Sequence, residues 1–154
     1  MKTKQFFAVL LASILLTGAT FARDLAPVIN YDNIAVVAGA GKTLTVERVK
    51  QAIQTGATAR GWSIAQAADG KMVATLIVHS KHSVSVEIGY TADRYSLHYK
   101  DSLNMKFAST APSRKNGVGP AVPAEENGQP VIHPNYNKWV LQLRESIQVE
   151  LGRL

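Results

Sequence analysis

Through the middle of this chain, hydrophobic and polar residues alternate with a period of two; on either side the period lengthens toward 3.6. Within residues 71–80, Met72, Ala74, Leu76 and Val78 share one side, and within 82–90, Val84, Val86, Ile88 and Tyr90 do the same. Such alternation predicts strands with one buried face. A two-residue turn would set the two groups on opposite faces. A three-residue connection at 80–82 keeps them together, and a slip of one residue exposes a whole set, so the longer turn is expected. A four-residue turn at 91–94 then keeps Tyr95, Leu97 and Tyr99 on the same side. Upstream, Trp62, Ile64 and Gln66 lead into Ala68-Asp69-Gly70. With Gly70 left-handed, that loop aligns Trp62 and Ile64 with Leu76 and Ala74. The other face reads Val73, Thr75, Ile77 and His79, then Ser83, Ser85, Glu87 and Gly89, then Ser96, His98 and Lys100. It is polar enough to stay wet. Val73 and Ile77 are the exceptions, and the segment 23–37 is expected to cover them.

Helical spacing flanks these strands. Thr45 is a good N-cap, and Val46, Val49, Ile53 and Ala57 make one stripe before Gly61 ends the helix, predicted over 45–60. Pro134 suits a first helical turn. Tyr136, Trp139, Val140, Leu143, Ile147 and Leu151 form a second stripe. Two striped helices and one apolar sheet face imply a two-layer α+β domain: a four-stranded antiparallel meander, with a possible extra N-terminal strand near 34–37, and both helices on one face. Trp62, Tyr90, Tyr95, Tyr99 and Trp139 fall on the buried stripes and read as core rather than as an aromatic pocket. Residues 108–130, rich in Pro, Gly and small polar residues, read as a long surface insertion, with a binding lid as the sharper alternative.

The N-terminus changes the setting. Lys2 and Lys4 precede the apolar run FFAVLLASILL, and Thr20-Phe21-Ala22 ends on a small residue. This is the pattern of a secretory signal over 1–22, too short for the roughly 20 apolar residues of a membrane span. It leaves 23–154 as a single domain, periplasmic or secreted, with no transmembrane segment. The chain has no cysteine, so disulfides, thiolate metal sites and lipid attachment at a cysteine are excluded. Without Lys2 and Lys4 the formal charge falls from +6 to +4. No basic run is interleaved with aromatics, so nucleic acid is not the expected partner.

Candidate chemistry is sparse. Val36-Val37-Ala38-Gly39-Ala40-Gly41-Lys42-Thr43 ends like a phosphate-binding loop, but Val36 stands where G-x-x-x-x-G-K-[ST] needs its first glycine. It reads as a turn between a strand and the first helix. Ser102, His133 and Asp101 supply the residue types of a hydrolase, nucleophile, base and orienter. Asp101 and Ser102, however, are strand neighbours that point oppositely, and no G-x-S-x-G elbow surrounds the serine. A hydrogen-bonded joint is the better expectation. In it Asp101, Ser102, His133 and Asn137 tie the strand end to the second helix, with Asp101 or Asn135 meeting free helix N–H groups. No metal site is expected. His79 and His98 share the polar face but are separated by an intervening strand, roughly 10 Å, His82 lies in a turn, and His133 is remote in sequence.

Three stretches carry a likeness: Arg60-Gly61-Trp62, Tyr99-Lys100-Asp101-Ser102 and Ile132-His133-Pro134-Asn135-Tyr136-Asn137-Lys138-Trp139. With the leader, they resemble a family of small exported bacterial proteins of uncharacterised function that have RGW, YKDS and HPNYNKW-like motifs. Many of its members look like lipoproteins, an anchoring that a cysteine-free chain does not share. The resemblance implies an envelope setting and supplies no catalytic residues.

These observations point to a non-catalytic binding or envelope-associated module with no cofactor, whose partner is an envelope protein or small ligand. Its expected surfaces are the polar sheet face (Ser85, Glu87, His98, Lys100) and the cleft between the strand end and the second helix (Asp101, Ser102, His133, Asn137). The alternative is a small envelope hydrolase built on Ser102, His133 and Asp101.

Overall fold

The computed structural model describes residues 25–109 and 128–154. The expected signal segment and most of the long insertion therefore lie outside the described residues. In chain order the elements are β1 (Ala26–Pro27), β2 (Tyr31–Ala35), α1 (Val46–Thr58), β3 (Ser63–Gln66), β4 (Met72–Val78), β5 (His82–Tyr90), β6 (Arg94–Leu103), β7 (Val131–Ile132) and α2 (Asn135–Gly152). Five strands form one antiparallel sheet in the order β2-β6-β5-β4-β3, and β1 pairs separately with β7. The fold class is α+β, and an N-terminal strand does join the sheet.

Register follows the alternation. Ile64 pairs with Ala74, and Gly70 closes the β3–β4 loop at φ +83°. Leu76 pairs with Val84, and Tyr90 with Tyr95. The β4–β5 turn has three residues, as parity requires, but they are 79–81 rather than 80–82, since Val78 already faces His82. His79 thus leaves the strand for the turn. Met72, Ala74, Val84, Val86, Ile88, Tyr95 and Leu97 are buried on the inner face. Each such aliphatic side chain contributes about 1.5–3 kcal/mol of burial free energy.

Both helices add their buried residues to the same core cluster. Thr45 caps α1, its hydroxyl accepting from the Arg48 N–H at 3.3 Å. The helix buries Val49, Ala52, Ile53, Gly56 and Ala57. Val46, expected in that stripe, is exposed instead: it lies in the first turn, ahead of the first buried position at Val49. On α2 the buried face is Tyr136, Val140, Leu143, Ser146, Ile147 and Leu151, with Trp139 only partly covered. The helices meet closely at Gly56. A Cβ built there would lie 2.9 Å from the Ile147 Cα, and the Ser146 hydroxyl donates to Gly56 O at 2.8 Å.

One expectation fails, and two local features go beyond the sequence pattern. The described part of the segment expected to cover Val73 and Ile77, 25–37, does not do so: β2 satisfies its backbone groups on the outer edge of β6, two strands beyond β4, and Ile77 stays 66% exposed. The face of Ser102 is also changed. Ser85 pairs with Asp101 while Val86 pairs with Tyr99, so Lys100 is surplus in β6. A bulge of this kind reverses the facing of every later residue. Ser102 comes opposite the buried Val84, on the helix side, and Leu103 turns outward, 61% exposed.

Gly39-Ala40-Gly41 is a turn between a strand and the first helix, as expected, and it has a packing role. It is a short 3₁₀ turn packed on the end of α2, where a Cβ on Gly39 would come 2.6 Å from Gly152 O. Lys42 Nζ donates to Leu154 O at 3.1 Å, placing its charge at the carbonyl end of the helix. The residues that imitate a phosphate loop clamp a helix terminus.

Candidate functional site

The outer sheet face carries a polar network. Lys71 Nζ lies 2.7 Å from Glu87 Oε1, and Lys100 Nζ 3.6 Å from Glu87 Oε2. The Lys71 hydrogen bond holds the Glu87 carboxyl below its ordinary range, against an opposing burial effect, and Glu87 in turn raises Lys71. His98 Nε2 meets Asp32 Oδ1 at 2.6 Å, and the hydroxyls of Thr75 and Ser85 are 2.9 Å apart. Glu87, His98 and Lys100 do share this face, but each of the three is engaged by a neighbour, and partly exposed pairs of this kind contribute little stability.

The four residues of the expected joint have separate partners. Ser102 Oγ lies 3.0 Å from Tyr99 OH, whose ring stacks on Phe107 at 4.4 Å. Asp101 is exposed and makes no hydrogen bond or ion pair among the described residues. His133 Nδ1 accepts from the Asn135 N–H at 3.2 Å, so the histidine caps α2 where Asp101 or Asn135 was expected to. Asn137 bonds to the N-terminal segment instead of β6: its Oδ1 accepts from the Ile29 N–H at 3.1 Å, and its Nδ2 donates to Pro27 O at 2.8 Å. Replacing Asn137 with alanine removes both bonds. The expected result is a loss of about 1–2 kcal/mol and faster hydrogen exchange at the Ile29 amide, measured by NMR.

A cavity of about 390 Å³ opens between the β4–β5 turn, the chain beyond β6 and the start of α2. Val78, Met105 and Trp139 give it apolar walls, and His79, His82, His133 and Asn135 add polar groups. His82 Nδ1 is 3.0 Å from Asn104 O, so this nitrogen carries the proton and donates. Asn104 Nδ2 in turn donates to Lys81 O, joining the chain beyond β6 to the turn. His79, Ser80, Asn104 and Lys106 all have left-handed backbones, at φ 51°, 54°, 58° and 53°. For a residue other than glycine this conformation is strained, and such strain concentrates at functional sites. No three His, Asp or Glu side chains among the described residues are placed to hold a metal ion.

Of the residues expected in a cleft between the strand end and the second helix, His133 lines this cavity, whereas Asp101, Ser102 and Asn137 do not. Sequence reasoning missed His79, His82, Met105 and Trp139 as lining residues. A signal was present: stretches 78–82, 104–107 and 133–139 contain three histidines and three lysines but no aspartate or glutamate. Nothing in periodicity says that these stretches meet.

Among the described residues no helix is long and apolar enough to cross a membrane. Compared with known proteins, the chain matches no family model, no curated protein and no solved structure.

Proposed function

We propose that this protein is a non-catalytic binding module of the bacterial envelope, exported to the periplasm or beyond, which holds its ligand in the cleft between the β4–β5 turn and the start of α2. One observation carries the reading: two imidazoles from one turn, His79 and His82, and a third from the distant start of α2, His133, line one half-enclosed cavity with Trp139. Its volume falls within the range of small-molecule sites, about 300–1,000 Å³. The left-handed residues around it, and a sheet that buries one face under both helices, fit a rigid frame presenting one built site. The leader-like residues 1–22 and the likeness to small exported proteins support the compartment.

Two measurements test this. NMR shift mapping with a panel of small organic fragments is expected to perturb amides of 78–82, 104–107 and 133–139. Perturbations centred on Glu87, His98 and Lys100, or none at the cleft, overturn the assignment. Fusing residues 1–22 to a reporter active only outside the cytoplasm should give an active reporter; an inactive one removes the compartment.

A further inference from the structure

The cleft's chemistry narrows the ligand class. We propose that it takes a small planar organic anion, its flat body against Trp139 and Met105 and its negative group toward His79 and His82. The inference rests on the cleft being the binding site. Each wall contributes to it. The turn brings His79 and His82, the chain beyond β6 brings Met105, and the start of α2 brings His133 and Asn135, while Lys81, Lys106 and Lys138 adjoin these lining residues in the chain. None of the lining residues is an aspartate or glutamate, and no such residue lies on these three stretches. An anion enters this setting without like-charge repulsion, and basic groups in a partly enclosed site focus the attraction.

The hydrogen-bond roles favour an anion over a metal ion. His133 Nδ1 already accepts a backbone N–H, so that lone pair is committed. His82 Nδ1 already carries a proton and donates to Asn104 O, so any added proton goes to Nε2. A protonated His82 then offers a charged N–H donor to a carboxylate, the stronger kind of hydrogen bond. The apolar wall of Val78, Met105 and Trp139 suits a flat hydrocarbon or aromatic body. A volume of about 390 Å³ limits that body to one or two rings.

The test uses benzoate as probe, with benzyl alcohol and benzamidinium as neutral and cationic matches of similar size. Each is titrated into the protein and followed by NMR shifts of the Asn135 and Trp139 amides. Benzoate should bind about tenfold more tightly than either match. The double variant His79→Gln, His82→Gln should lose that preference and keep weak benzyl alcohol binding. Trp139→Leu should weaken all three probes alike. Equal binding of benzoate and benzyl alcohol overturns the anion assignment while leaving the cleft as the binding site. Tighter benzamidinium, or stoichiometric uptake of Zn²⁺ at the histidines, overturns it as well. Absence of any shift at the cleft with all three probes overturns this inference together with the reading beneath it.

Discussion

Replacing Gly56 with alanine lowers the stability of this protein by about 1–3 kcal/mol, the cost of overpacking a filled interior. The added carbon would lie 2.9 Å from both Cα and N of Ile147 and 3.0 Å from the carbonyl carbon of Ser146. All three are backbone atoms of α2, so no side chain can swing aside; a whole helix must move. Alanine is better than glycine within a helix by about 1 kcal/mol, and the contact outweighs that gain. Moving α2 also lengthens the 2.8 Å bond from Ser146 to Gly56 O, a buried hydroxyl that then loses its partner. Gly89→Ala is the control, because a Cβ there meets no heavy atom within 4 Å, and its stability should stay within about 0.5 kcal/mol of the parent. Urea midpoints for the two variants check the contrast. A Gly56→Ala protein as stable as the parent would mean that the helices separate freely.

Tyr136 carries the second large effect. Its ring is fully buried and meets Tyr99 edge-on at 5.5 Å. Tyr136→Ala should cost about 3–5 kcal/mol through the cavity it leaves, a large share of the roughly 5–15 kcal/mol that holds a domain folded. Tyr136→Phe should behave in the opposite way. The hydroxyl is buried with no hydrogen-bond partner among the described residues, so removing it is neutral or stabilises by up to about 1 kcal/mol. The same variant changes the response to alkali. Burial raises the Tyr136 phenol well above its ordinary range, with Tyr99 and Tyr31 adding to the effect, and burial pushes Tyr95 up to about 12 against the opposing charge of Arg144. In the unfolded chain both phenols lose their protons near pH 10. Above that pH the unfolded state binds fewer protons than the folded one, so stability falls as pH climbs from 10 toward 12 and is retained below 10. Tyr136→Phe should make that decline shallower. Denaturation midpoints across this range measure it; an unchanged slope would mean the Tyr136 phenol titrates alike in both states.

Much of the fold was legible because it follows from local pattern. Alternation placed Met72, Ala74, Val84, Val86, Ile88, Tyr95 and Leu97 on one face, and parity required odd-length or four-residue connections whose positions were then nearly right. Thr45 and Gly70 marked their cap and turn correctly. Less legible was whatever depends on a single count or on distant approach. A bulge at Lys100 leaves no trace in composition, yet it decides where Ser102 points. Gly56 looked like an ordinary interruption of a helix, and its reason, Ile147, is ninety-one positions away. Asn137 was singled out for its motif, but its partners Pro27 and Ile29 came from the opposite end of the chain. The histidine cleft is the same kind of case. His79 was set aside for the strand between it and His98, His82 for lying in a turn and His133 for its distance along the chain, yet the β4–β5 turn and the start of α2 bring the three to one cavity.

The surplus residue in β6 also bears on how other chains are to be matched with this one. A relative that keeps the Tyr-Lys-Asp-Ser letters but pairs its lysine in the ladder, without the bulge, would sort them to the reverse layers, sending its carboxylate toward the helices and its hydroxyl to solvent. Letter-by-letter alignment would score the two as nearly identical. Spatially they would be mirror assignments, and any role transferred between them would land on the wrong side of the sheet.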